Sequence, residues 1–535
     1  MKKLMHLWSQ PVDPLHHLPL SALAAAAPLV LLLILMGGLR KSSYFSAAWA
    51  LIASLAIAVG VWGMPVRLAV VSAIYGAVYA LWPIMWIVFA ALWLYNLTVD
   101  TGKFELLRRW MAEHASGDLR VQAILVAFCF GALLEGTAGF GTPVAVTAFL
   151  LVGLGFAASQ AVTVALIANT APVAFGALGI PIVALAGVTG LPQMKLSAMV
   201  GRQLPLLSLF IPAYLVLVIA GRKGLRAAWP VAAAGGGSFA LAQFAVSNTW
   251  GPYAADIIAS LVSIVAVVIL LRFWKPRDVR LGKSFPASVH DLSWRDGVNA
   301  WAPWALLAGV MIVWSLLKLF QAARIPVAVP WLHNAIFITL YHKPYAAVYN
   351  FEPLGAGTAA LVATLITAAV LAASPRVLRK AGWTTLKQLA LPGVTVCLIV
   401  ALAYLYNYSG MAFSLGAALA ALGGAFPLFS GFLGWVACFM SGSDTASNIL
   451  FGNLQVAAAH QIGVNPVLLA ATNSSGAVTG KMISPQNIAV GVTTVGMVGQ
   501  EGEVLRSTFW HSILFAFAIS LLAFAQAYGL KWMVP

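Results

Sequence analysis

The chain has 535 residues, 61% hydrophobic and 8% charged, with a mean hydropathy of +0.93, whereas a soluble globular chain is about 25% charged. The formal charge of +16 would suit a nucleic-acid binder, but the Lys and Arg residues fall in short gaps between apolar runs and form no continuous basic face. These values exclude a soluble domain of any size and a nucleic-acid partner, and leave one membrane domain, 1–535, with the lipid bilayer as its surroundings.

A spanning helix needs about 20 mostly apolar residues. The start, MKKLMHLW followed by an apolar run over 20–39, imitates a signal peptide, but the run is too long and Gly37, Gly38, Arg40 and Lys41 follow it, so it is expected to stay as the first span. Further spans are expected at 43–62, 68–97, 203–220, 229–247, 254–273, 299–319, 354–373, 389–408 and 509–530. With the irregular regions between them, the fold is read as all-α and polytopic, with about 12–14 transmembrane helices. Cys129, Cys397 and Cys438 lie far apart inside apolar runs and read as packing residues, so no disulfide or metal site is expected.

Basic clusters at Arg40 and Lys41, Lys103 to Arg120, Arg222 to Arg226, Arg272 to Arg295 and Arg376 to Lys387 are expected on the cytoplasmic side. Two spans separate the first cluster from the second, the third from the fourth and the fourth from the fifth, so each pair returns to one side. This puts the N-terminus outside, despite Lys2 and Lys3, and makes 324–353 an outer loop or interfacial segment.

Two regions break the pattern. In the first, an apolar run stops at EGTAGFGTP (135–143), resumes, and stops again at NTAPVAFGALGIP (169–181); in the second, a run stops at SGSDTASN (441–448), resumes, and stops at NSSGAVTGKMISPQN (473–487). Asn169, Gly176 and Pro181 map onto Asn473, Gly480 and Pro485 with one offset of 304, and Thr137-Ala138 maps onto Thr445-Ala446 with an offset of 308. The shared order suggests a duplicated element, with an N-terminal repeat core over 121–190 and a C-terminal one over 428–499. Unpaired backbone groups cost several kcal/mol each in lipid, so breaks at membrane depth persist only against protein or a water-filled cavity. Paired breaks, here marked by Gly136, Gly139, Gly141, Pro143, Gly176, Pro181, Gly480 and Pro485, therefore point to a central transport site where half-helix N-termini face an anion and exposed carbonyls face a cation.

Glu135, Asp444 and Lys481 sit at these breaks between apolar runs, where a charge costs roughly 2.5–3.5 kcal/mol or more. Glu135 and Asp444 are candidates for proton coupling, the other reading being a structural ion pair or a helix cap. Lys481 is a candidate for the substrate carboxylate, the other reading being a fixed counter-ion to one of those acids; Arg202, in VGRQLP, is a second candidate cation or marks a helix end. Asn169, Asn448, Asn473, Ser484 and Gln486 offer neutral donors and acceptors suited to a carboxylate and an adjacent hydroxyl, with helix capping as the alternative. GAVTGKM (476–482) imitates a phosphate-binding loop but has three residues between its glycines where four are needed, and Met482 where Ser or Thr should bind magnesium. With HExxH and GxSxG motifs and His/Cys clusters also missing, no ATP, enzyme activity or cofactor is expected.

GALLEGTAGFGTPVAV, IANTAPVAFGALGIPI, MVGRQLP, FMSGSDTASNILFGNLQ and TGKMISPQNIAVG resemble the bacterial lactate permease family, as do LYNLTVDTG and LWPIMWIVFAALW near the start and the KWMVP terminus. The resemblance implies uptake of L-lactate, and commonly D-lactate and glycolate, by proton symport across the inner membrane, within a superfamily of ion-coupled transporters built from inverted repeats. Thr137 and Thr142 stand where Ala is common in that family, and Thr142 is a further candidate substrate contact. An inside-negative potential opposes entry of one anionic charge by about 2.3 kcal/mol per 100 mV, so accumulating a monocarboxylate requires at least one cation. A sodium-coupled carboxylate carrier, or a cation/proton antiporter using Asp444 and Glu135, are the alternatives.

Overall fold

The computed structural model describes residues 7–39, 41–114, 118–139, 141–274, 276, 293–319, 322–339 and 343–535. Lys2, Lys3, Arg40, residues 115–117, 275 and 277–292 of the basic clusters, Phe140 of the first break, and 340–342 of the expected outer segment lie outside the described residues.

Among the described residues, 10 helices are long and apolar enough to cross a membrane, or up to 11 if a bent pair, Ala158–Ala168 with Val173–Thr189, counts as one span. This is fewer than the 12–14 expected because neighbouring spans run on as one helix. Gln193–Thr249 holds 57 residues, about 85 Å if straight, against a hydrocarbon core of ~30 Å. Gly221, at φ 65° and ψ −171°, breaks it where the 203–220 run ends. The 354–373 run forms the shorter apolar helix Ala356–Val370. The 324–353 segment carries strands: β1 (Trp8–Gln10) pairs in parallel with β3 (Ile336–Ile338), which pairs with β4 (Lys343–Pro344), while β2 (Ile325–Ala328) and β5 (Val348–Phe351) form an antiparallel ribbon.

Eight helices build the centre. In the first half they are α1 (Gly131–Thr137), α2 (Thr142–Gly153), α3 (Ala158–Ala168) and α4 (Gly176–Thr189). In the second they are α5 (Phe426–Ser441), α6 (Asp444–Ile462), α7 (Pro466–Lys481) and α8 (Pro485–Thr494). Both halves run helix, break, helix, tight connection, helix, break, helix. The chain chemistry explains each stop. At the α5–α6 break Gly442 takes φ 69°, the left-handed region open to glycine, and Ser443 starts the next helix by accepting from the Ala446 amide at 3.2 Å. Asn465 accepts from the Val467 amide at 2.9 Å, and Pro466 opens α7. Between α3 and α4 the axis bends by 65°, and Ala177, Leu178 and Gly179 adopt φ of 43°, 60° and 74°. Two consecutive non-glycine residues there are costly, which is a mark of functional segments.

The halves interlock reciprocally. The Asn448 side chain of α6 donates to the Pro181 carbonyl of α4 at 3.2 Å, and a Cβ on Gly452 would meet Leu185 at 2.5 Å. Across the molecule, a Cβ on Gly491 of α8 would lie 2.7 Å from Val162 of α3 and 3.4 Å from Val144 of α2. Within the second half α5 and α7 touch backbone to backbone, since a Cβ on Gly434, Gly476 or Gly480 would overlap the carbonyl of Asn473, Gly431 or Trp435. Small residues permit such close packing in lipid, where no hydrophobic force joins helices.

Candidate functional site

The breaks converge on a cavity of about 70 Å³ lined by Glu135, Gly176, Ile180, Ser443, Asp444 and Lys481 among others. Lys481 closes α7 and Glu135 lies in the last turns of α1. The Lys481 Nζ donates to Glu135 Oε1 at 2.8 Å, with the two side chains 8% and 4% exposed. Asn169 Nδ2 donates to Glu135 Oε2 at 2.9 Å, so both carboxylate oxygens are engaged. The electrostatics are unequal. A cation is favoured at the C-terminal end of a helix and an anion is not, so the Glu135 charge depends on Lys481 and Asn169 for compensation. Gly176 makes room for it, since a Cβ there would lie 2.7 Å from Glu135 Oε1.

Asp444, the first residue of α6, faces the same cavity. Ser474 Oγ donates to its Oδ2 at 2.8 Å, and its buried Oδ1 has no partner. Behind it, Asn448 Nδ2 donates to Ser474 Oγ at 3.0 Å and Asn473 Nδ2 to Asn448 Oδ1 at 3.0 Å. Asn448 and Asn473 thus form a supporting layer, with Ser474 between them and the cavity.

The other candidate residues lie elsewhere. Arg202 donates from Nε to Asn248 Oδ1 and from Nη1 to the Met533 carbonyl, both at 2.9 Å, which ties it to the C-terminal segment and away from Glu135 and Lys481. Gln486 is exposed and donates to Ser43 Oγ at 3.0 Å. Ser484 Oγ is buried without a partner, 2.9 Å from where a Gly442 Cβ would stand. The Thr142 side chain lies outside the described residues. Of the expected break residues, Gly139 and Gly141 lie in the α1–α2 break and Pro143 is in the first turn of α2. Gly176 and Pro181 flank the unwound start of α4, and Pro485 opens α8. Gly136 and Gly480 are instead inside helices, where they serve close packing; a Gly136 Cβ would lie 3.0 Å from Asp256 Cβ. Glu135 and Asp444 also differ in place: the first precedes its break and the second follows it.

Asp256 escaped the sequence reading because it opens an apolar run. It is 1% exposed, Gln243 Nε2 donates to its Oδ1 at 3.0 Å, and its Oδ2 has no partner. A lone acid at the head of 254–273 was the available signal.

The small cavity continues into a larger one of about 540 Å³, with which it shares Gly141, Ile180, Gly442, Ser443 and Thr445, and which reaches Ser42, Leu391 and Gln486. A separate vestibule of about 440 Å³, lined by Tyr75, Tyr79, Tyr404, Tyr408, Arg324 and Glu352, lies beyond Val183 of α4. The helix Pro375–Ser409 passes both spaces, lining the larger cavity at 391–399 and the vestibule at 404–408, so buried Ile399 and Val400 belong to the wall between them.

Interlocked broken helices around a buried ion pair, with a cavity on each side of a thin apolar wall, define a membrane transport protein. The L-lactate permease family model matches residues 21–530, and the chain belongs to that family. It is 42% identical to an L-lactate permease of Salmonella typhimurium over 99% of this chain and 100% of that one. It is 42% identical to a glycolate permease of Escherichia coli, again over 99% and 100%. An L-lactate permease of Bacillus subtilis is 41% identical over the same shares. The chain is thus a multi-pass inner-membrane permease of the L-lactate permease family and not an enzyme.

Proposed function

We propose that the chain imports L-lactate, together with D-lactate and glycolate, by symport with one proton, and that Lys481 and Glu135 are the coupling pair. The observation that carries this reading is the buried Lys481–Glu135 bond at the cavity. Empty, the Lys481–Glu135 pair holds one cation and one anion, while Asp444 is held separately by Ser474. A proton taken by Glu135 releases Lys481, which then holds the substrate carboxylate as a point charge, so Lys481 again faces one anion. Intermediate states are penalised. A proton without substrate leaves Lys481 unpaired in the membrane, and substrate without a proton places two anions beside one cation; each carries the cost of an uncompensated buried charge. Only the empty and the fully loaded forms cross readily, and because the site carries the same charge in both, the full cycle moves none against the potential.

The starts of α2 and α6 add positive dipole ends around the same space. The basic residues supply the orientation. Arg376, Arg379 and Lys387 lie at the end of Pro375–Ser409 nearer the larger cavity, and Lys41 adjoins Ser42 on its rim. That side is read as cytoplasmic, so the form described is open inward, with the strand-covered vestibule outside.

The test is labelled lactate uptake into proteoliposomes under an imposed pH gradient, with sodium replaced throughout. Accumulation that follows the pH gradient and ignores sodium is expected. Accumulation that requires sodium and survives collapse of the pH gradient would overturn proton coupling.

A further inference from the structure

We infer that Asp444 reads the substrate's 2-hydroxyl, and so makes the carrier select 2-hydroxy acids over plain short-chain acids; this rests on the lactate reading above. The direction of each hydrogen bond behind Asp444 is fixed. The Asn448 amide donates to Ser474 Oγ, and an amide N–H can only donate, so Ser474 spends its own single proton on Asp444 Oδ2. Asn448 is itself held, with its Oδ1 accepting from Asn473 and its Nδ2 also reaching the Pro181 carbonyl. Asp444 therefore stands in a rigid frame that uses one oxygen as an acceptor and leaves the other, Oδ1, buried and unpartnered on a residue that lines the cavity.

A buried acceptor without a donor is costly, and one carried by a residue of a binding space is placed to take a donor from the ligand. The carboxylate of the substrate cannot supply it, since it carries no proton and would be drawn to Lys481. The hydroxyl on the adjacent carbon can. A 2-hydroxy acid carries both groups on adjacent carbons and so suits a cation and an acceptor that line one cavity of about 70 Å³, with its carboxylate at Lys481 and its hydroxyl hydrogen on Asp444 Oδ1. Propionate has the carboxylate alone and leaves Oδ1 unsatisfied, the situation in which polar sites discriminate most strongly. Neither the methyl group of lactate nor its handedness enters this contact, so glycolate satisfies it equally.

The experiment is exchange of internal for labelled external lactate in proteoliposomes at equal pH on both sides, with competitors added outside. Propionate lacks the hydroxyl, and 2-fluoropropionate keeps a group of similar size that cannot donate. For the unaltered carrier both are expected to compete roughly 10- to 100-fold less well than lactate or glycolate, the scale of one hydrogen bond to a charged group. In Asp444→Ala the gap should shrink to below about threefold through weaker lactate binding, with propionate unchanged. If 2-fluoropropionate competes as well as lactate in the unaltered carrier, the inference fails without need of a variant. It also fails if Asp444→Ala weakens lactate and propionate equally. A carrier that exchanges propionate well but lactate not at all would remove the lactate reading itself, and this inference with it.

Discussion

Lys481 Nζ lies 2.8 Å from Glu135 Oε1, joining the last residue of α7 to the C-terminal turns of α1 across 346 residues of sequence. Neither half of the protein contains both members of the pair, and in the proposed cycle the bond that joins them is also the bond that substrate replaces. This dual role makes the pair separable by experiment.

Glu135→Gln mimics the protonated acid and leaves Lys481 permanently available. Exchange of internal for external lactate should continue, while accumulation driven by a pH gradient should fall by about tenfold or more, because the empty carrier would cross with an unpaired cation. Measuring both modes on one preparation decides the matter, and a variant that still accumulates lactate as the parent does removes Glu135 from coupling.

Lys481→Met should abolish lactate binding and also destabilise the fold, since an isolated buried carboxylate remains; breaking a buried pair in this way costs about 3–5 kcal/mol. Adding Glu135→Gln to Lys481→Met should restore most of the thermal stability without restoring binding. Melting curves of the three purified variants in detergent, together with labelled lactate binding, would show this, and a double variant no more stable than Lys481→Met would contradict it.

Gly176→Ala places a methyl group 2.7 Å from Glu135 Oε1, within the volume the carboxylate occupies. Uptake should drop severely while membrane insertion stays normal, because the clash falls on the site. Gly476→Ala is the complementary case: its methyl would overlap the Gly431 carbonyl between α5 and α7, and overpacking of this kind costs about 1–3 kcal/mol. Its expected signature is reduced stability with lactate affinity little changed in the protein that remains folded.

Asp256→Asn should be tolerated. The one hydrogen bond Asp256 accepts, from Gln243, survives in an amide, and no cation among the described residues is paired with its carboxylate. Uptake within about twofold of the parent is expected, whereas Asp256→Leu leaves one Gln243 N–H without an acceptor, the Ala171 carbonyl still taking the other, and should cost about 1–3 kcal/mol in stability. Loss of pH-driven uptake in the Asn variant would make Asp256 a participant in proton movement.

The sequence displayed the breaks more clearly than the contacts. Gly442 and Ser443 announce a helix end and a helix start by their own chemistry, and Pro466 and Pro485 do the same at helix starts, so the order of segments was legible. Lys481 and Glu135 stood out as charges among apolar residues, but nothing local distinguishes a lysine that faces substrate from one that faces an acid. Only the reciprocal crossing of the halves sets that. Arg202 illustrates the limit from the other side, since its partner at Met533 lies 331 residues away. Asp256 was hidden because an acid in the first turn of a helix is ordinary, and its burial comes from α1 packing over it through Gly136.

The wide separation of Glu135 from Lys481 has a consequence for biosynthesis. At about 5–20 residues per second, the ribosome needs roughly 20–70 s to make the intervening chain. During that interval the inserted first half holds an acid whose lysine does not yet exist, with only Asn169 of its own half to meet it. A nascent permease is therefore incomplete in charge as well as in shape until α7 enters the bilayer. A chain truncated before α7 would present an unmatched carboxyl group in the membrane, a mark by which membrane quality-control proteases could tell an unfinished carrier from a finished one.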